Sequence, residues 1–201
     1  MLNLIPALRI KDVTIFDLLN QEFYQGEFLF FPQLAAYLGK VAAIPEMDAR
    51  EIGMLSELVY LYAKLHISLQ EKSMADEGFC GSVQMPVLIG DLFLGRFYRF
   101  LAESEKDVCL PVYMDFMRQM NGQQVDGLLE HPRTESRTSF CPLLVRKTAE
   151  AMAVFAGAQA DMQQTLETAA EQYRQQHWDS VQGRQVTSLS ALEECLQAEE
   201  I

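Results

Sequence analysis

Apolar residues recur along this chain at spacings of three and four, which is the signature of helices that bury one face. Residues 12–24 place Ile15, Leu18, Leu19 and Phe23 on one side. Residues 27–43 are apolar throughout, with Pro32 either kinking a helix or marking its true start. Over 49–70 the pattern is carried by Ile52, Leu55, Leu58, Val59, Tyr62, Leu65 and Leu69. Further helices are expected at 87–103, at 108–125 (led by Val112, Phe116, Met117 and Met120), at 137–160 and at 161–177. A short one is expected over 189–196. No stretch alternates as a strand would, so the fold class is all-α: about eight helices around one core, in a single domain over 1–201.

Breaks fall between these patterns. Asp48, after Pro45, is an expected N-cap with Glu51 as its capping-box partner. Residues 71–84 read as a loop containing Gly78 and Gly81, and Ser104–Asp107 as a turn. Asn121-Gly122 ends or bends its helix, and 126–136 reads as a turn-rich connection.

The stretch Val87–Glu103, VLIGDLFLGRFYRFLAE, is the expected central core helix. Its apolar stripe is broad enough for near-complete burial. Gly90 and Gly95 each cost a helix about 1 kcal/mol relative to Ala. That suggests close approach by another backbone, either in a plain core helix or in one that also faces a partner subunit.

Charge narrows the partners. The 201-residue chain has a formal net charge of -12 and a pI near 4.6, which argues against nucleic acid and anionic membrane. Cys80, Cys109, Cys141 and Cys195 are far apart and form no metal-ligand spacing, so free thiols in a reducing cytoplasm are expected. The first twelve residues lack the apolar run of a signal peptide, and no stretch is long enough to span a membrane. The expected compartment is cytoplasmic.

Candidate chemistry is sparse. His66 lies on an apolar helix and reads as a core or pocket histidine rather than a ligand; His131 precedes a proline, and His177 has no paired carboxylate motif. Ser68 and Ser73 lack the glycines of a nucleophile elbow, and no phosphate-cradling glycine motif occurs. Arg137 and Thr138 could contact a phosphate, or Arg133, Arg137, Arg146 and Lys147 could form a basic solvated face. Glu193, Glu194, Glu199 and Glu200 read as a solvated helix end.

The order of features over about 50–181 resembles the trans-polyprenyl diphosphate synthases, members of the isoprenoid synthase fold. The resemblance starts at VLIGD, residues 87–91, since that family carries a Val-Leu-x-Gly-Asp segment at the start of a core helix. Upstream, Glu57-Leu58-Val59 through Leu65-His66 looks like the helix leading to the family's first aspartate-rich motif. Downstream, Arg137-Thr138-Ser139 and the small-residue helix ending AVFAGA (153–158) look like its Lys-Thr segment and following helix. Leu166–Val181 stands where the helix with the second aspartate-rich motif belongs.

The departures are as specific as the matches. The family's Asp-Asp-x-x-Asp positions align with Ile67, Ser68 and Glu71, leaving one carboxylate. Magnesium bridges such carboxylates to the allylic diphosphate and assists its departure, and Ile67 cannot ligate a hard cation. The family's diphosphate-binding Arg-Arg-Gly aligns with Asp76-Glu77-Gly78, so two cations have become anions that repel a diphosphate. At the second motif Gln176 and Asp179 match, but Ser180 follows where an Asp is wanted.

What the resemblance implies is a shortened, degenerate member of the kind represented by component 1 of bacterial heptaprenyl diphosphate synthase. Such a subunit lacks both metal motifs and works only with a catalytic subunit in making the menaquinone side chain. Magnesium would enter only through that partner. The family also builds its dimer interface from helices around the Gly-Asp segment, which puts Phe93, Phe97, Tyr98 and Phe100 near a partner, either a catalytic subunit or a second copy. An alternative is a free-standing helical pseudoenzyme that binds an apolar or isoprenoid ligand.

Overall fold

Glu57 shows how the first described helix is anchored. Its buried carboxylate accepts a hydrogen bond from the Phe31 backbone N–H at 3.2 Å, at the positive end of α1 (Phe30–Ala42). Pro32 stands in the first turn of that helix, where a missing N–H loses no intrahelical bond. The computed structural model describes residues 30–75, 84–130 and 140–181. The stretches expected to be helical at 12–24 and 189–196 lie outside the described residues.

The remaining helices are α2 (Glu46–Ala75), α3 (Gln84–Glu103), α4 (Leu110–Glu130), α5 (Cys141–Phe155) and α6 (Ala160–Val181). A 3-10 turn, Asp107–Cys109, leads into α4. There is no strand among the described residues, so the all-α fold class holds. Several boundaries shift. α2 continues to Ala75, into the stretch expected to be a loop. α4 runs through Asn121-Gly122 to Glu130, because a glycine in a helix costs only about 1 kcal/mol, less than interrupting several backbone bonds would. α5 ends at Phe155, and Gly157 adopts φ +60° in the turn that follows.

The helix at the centre is α2 and not the 87–103 stretch. Residues 51–61 of α2 are buried without a break, on every side of the helix. α1 and α3 pack along it, while α4 and α5 contact it on further sides. α5 joins α1, α4 and α6 into the same core. Close backbone approach occurs here as well: a Cβ on Gly53 would stand 2.6 Å from the Pro32 Cα and 2.8 Å from the Phe31 carbonyl oxygen. Among the described residues α3 packs chiefly on α2. Leu88 is 62% exposed and Leu92 43% exposed, which overturns the expectation of near-complete burial.

Two features of the core are polar. Ser56, Tyr113 and Thr148, all buried, join α2, α4 and α5. The Tyr113 hydroxyl lies 2.8 Å from Ser56 Oγ and donates to the Ile52 carbonyl at 3.0 Å, while Thr148 Oγ1 is 2.9 Å from Ser56 Oγ. Lys106, in the bend after α3, reaches Asp48 at 2.8 Å and Glu51 at 2.9 Å. Asp48 therefore does not act as the expected N-cap: α2 already begins at Glu46, and the two carboxylates hold a buried lysine whose Nζ also lies 4.9 Å from the centre of the Phe155 ring.

Candidate functional site

The α2–α3 pair brings together the two best anchors of the sequence pattern, His66 and the Gly90-Asp91 step. The His66 ring lies over Gly90 so closely that a Cβ there would be 2.6 Å from Cε1 and 2.7 Å from Nδ1. Gly90 is needed, as expected, for a close approach, but the approaching group is an imidazole and not a backbone. At Gly95 a Cβ would meet nothing within 4 Å.

Four contacts fix the imidazole. Nδ1 is 3.2 Å from the Tyr62 carbonyl oxygen, one turn back on α2, and a carbonyl can only accept, so Nδ1 carries the proton. The ring packs on Tyr62 with centroids 4.4 Å apart. Gly90 supplies the floor, and Nε2 faces Asp91 Oδ1 at 3.9 Å. Protonation of Nε2 would complete an ion pair between α2 and α3. Burial, then Asp91 and then Tyr98 raise the Tyr62 phenol above its ordinary pKa, so it stays neutral and can only donate or accept a hydrogen bond. In the sequence His66 and Asp91 stand 25 positions apart on different helices. The signal was that each stands at an end of its apolar helix, but the antiparallel meeting that joins them is tertiary.

The other predicted positions fall as follows. Ile67, Ser68 and Glu71 lie on α2 beyond His66, and Asp179 lies in the last turn of α6; their side chains are outside the described residues. Arg137 and Thr138 also lie outside them. Phe93 and Phe97 are 1% and 0% exposed, so their rings belong to the core of this chain; Phe97 packs edge-on against Tyr113. Phe100 is partly buried against the same core. Tyr98 is 42% exposed and reaches outward, its hydroxyl 3.5 Å from Met114 Sδ.

Lys147 does not belong to a solvated basic face. Only 6% of it is exposed, and its ammonium lies 2.7 Å from both Asp115 and Glu150. Burial pulls its pKa down, and the two carboxylates outweigh that and leave it raised. Hydrogen bonds from Arg118 and then Lys147 hold the Asp115 carboxyl well below the usual range. Cys109 and Cys141 are buried and form no disulfide; burial pushes the Cys109 thiol up to about 11. Cys80 and Cys195 lie outside the described residues.

Among the described residues no three of His, Cys, Asp and Glu come together in a way that could hold a metal ion, and no helix is long and apolar enough to cross a membrane. Comparison with family models, with curated proteins and with solved structures finds no match to this chain.

Proposed function

We propose that this chain is a non-catalytic subunit of a heteromeric trans-polyprenyl diphosphate synthase, acting in the cytoplasm in synthesis of the menaquinone side chain. One observation carries the reading. The Val-Leu-x-Gly-Asp segment packs its Gly90 directly beneath His66, while the positions that follow His66 hold Ile67 and Ser68 where a metal platform needs carboxylates. In this reading the scaffold of a diphosphate ionisation site is kept and its charge is lost. In this reading the partner subunit supplies the aspartates and, with them, magnesium to neutralise the departing diphosphate. This chain supplies helix surface and a wall that limits product length.

The interior favours this reading over a free-standing binder of apolar ligands. Phe30, Tyr60, Phe140 and Trp178 fill the space between α1, α2, α5 and α6 with ring centroids 4.7 to 5.6 Å apart. The test is a prenyltransferase assay with isopentenyl and farnesyl diphosphates and magnesium, run on the chain alone and mixed with the catalytic synthase from the same source. Activity that requires the mixture is expected. A catalytic subunit indifferent to this chain would sink the proposal, and isoprenoid retained by the isolated chain in native mass spectrometry would transfer it to the ligand-binding alternative.

A further inference from the structure

Three turns of the fold meet at one end of the molecule, and one buried ammonium ties them together. Lys106, in the α3–α4 bend, reaches Asp48 and Glu51 in the first two turns of α2 and donates to the Ser104 carbonyl at 3.1 Å. It also lies 4.9 Å from the ring centre of Phe155, the last residue of α5. The α1–α2, α3–α4 and α5–α6 turns therefore share one surface, at the opposite end of α3 from the Gly90-Asp91 step. An apolar side chain stands out of each part of it: Met47 is 47% exposed, Val108 48% and Val154 40%. Each lies within two residues of Lys106 or of a group that touches its ammonium. Exposed apolar residues scattered singly are ordinary, but a gathered set with a polar rim is the pattern of an interaction site.

The rim is acidic. Glu46, Glu105 and Asp107 are exposed in the same turns, and Lys106 beneath them is outnumbered by its own two carboxylates. Against these stand Lys40, in the last turn of α1, and Arg50, already paired with Glu46 at 2.9 Å, so this end stays negative. The sign decides the occupant. A second copy of the same face would set acid against acid, and an anionic lipid surface would be repelled. Cations around an apolar stripe fit both features at once. A helix offers that combination most simply, with apolar residues every three to four positions and lysines or arginines on its flanks.

We propose that this end docks an amphipathic, Lys- or Arg-rich helix of a partner protein, with Met47, Val108 and Val154 against its apolar stripe and Glu46, Glu105 and Asp107 against its cations. The proposal does not rest on the functional reading above, and it is tested without a catalytic subunit. The experiment is fluorescence anisotropy on the full chain. The probe is a labelled peptide with leucines along one helical face and lysines along the other, and the control is a peptide of the same composition in scrambled order. The patterned peptide should bind, and bind less tightly as salt is raised. Met47→Ser with Val108→Ser should weaken it about tenfold by removing apolar area, and Glu46→Lys with Glu105→Lys about tenfold by reversing the rim. All four positions are exposed, so the variants should melt close to the natural chain. Leu88→Ser, at the far end of α3, should bind as the natural chain does. A patterned peptide that does not bind, a scrambled one that binds as well, or a loss in Leu88→Ser equal to that of the Met47 and Val108 pair would each overturn the proposal. Self-association of the natural chain that the same pair abolishes would give the face to a second copy and overturn it too.

Discussion

The His66 imidazole occupies the space that a side chain on residue 90 would need, 2.6 Å from where its Cβ would stand. The ring is held from its other sides by the Tyr62 ring and carbonyl, so the α2–α3 contact is keyed by an absence of atoms on α3.

Three glycines in helices should therefore respond differently to alanine. Gly95→Ala meets nothing and should stabilise by about 1 kcal/mol. Gly90→Ala must displace an imidazole, so overpacking of about 1–3 kcal/mol works against that gain. His66→Ala in the same chain should relieve it, a non-additive result in a double-mutant cycle. Gly53→Ala meets the Pro32 Cα and the Phe31 carbonyl, which cannot rotate away, and should be the worst of the three. Urea unfolding midpoints of the set check the order.

Lys147→Met should destabilise the fold by about 2 kcal/mol, since Asp115 and Glu150 lose a buried, charged donor. The loss is modest for a buried ion because Asp115 keeps Arg118 and Gln119. The pH dependence has a definite sign. The Asp115 carboxyl is depressed in the folded state, so its contribution is present above the ordinary carboxylate pKa and is lost as pH falls below about 4. Acid unfolding of Asp115→Asn should be correspondingly shallower.

Tyr113→Phe removes a hydroxyl that Ser56 and the Ile52 carbonyl both use, deep in the core. A cost of about 1–2 kcal/mol is expected, because the buried Ser56 hydroxyl loses a partner and the Ile52 carbonyl keeps, besides its helix bond, only the longer Ser56 side-chain bond at 3.2 Å. Thr148→Val should cost a similar amount, and the two together less than their sum, since both changes break one network. Denaturant titrations of the two single variants and the double variant measure this.

Alkaline pH should weaken the fold through two buried side chains. The Cys109 thiol is raised from 9.0 to about 11 by burial, and the Tyr113 phenol is pushed up further by the same cause. A group whose folded pKa is raised contributes stability that is fully present below its unfolded pKa, here about 9, and is lost as pH rises through the folded value. Stability should fall between pH 9 and 11, and less steeply in Cys109→Ala. For the same reason a disulfide reagent at neutral pH should leave Cys109 unmodified until the protein is unfolded.

The helical fold was legible in the sequence because a helix that buries a stripe must repeat it every three to four residues, as Ile52, Leu55, Leu58 and Val59 do. The burial of Cys109 and Cys141 was not legible there, because their spacing left both core and surface positions open. Periodicity could not rank the helices. The 87–103 stretch is the more apolar to the eye, yet α2 is the buried axis, because polar residues such as Ser56 and Glu57 enter a core once partners from other helices satisfy them. Nor could it tell that Lys147 points inward to Asp115, or that Lys106 draws Asp48 away from capping. Those pairings join residues 32 or more positions apart, and only the packing of α4 on α5, and of the bend after α3 on α2, sets their distance. The same holds for His66 and Gly90: sequence supplied the ring and the missing side chain, and the meeting of α2 with α3 made them one site.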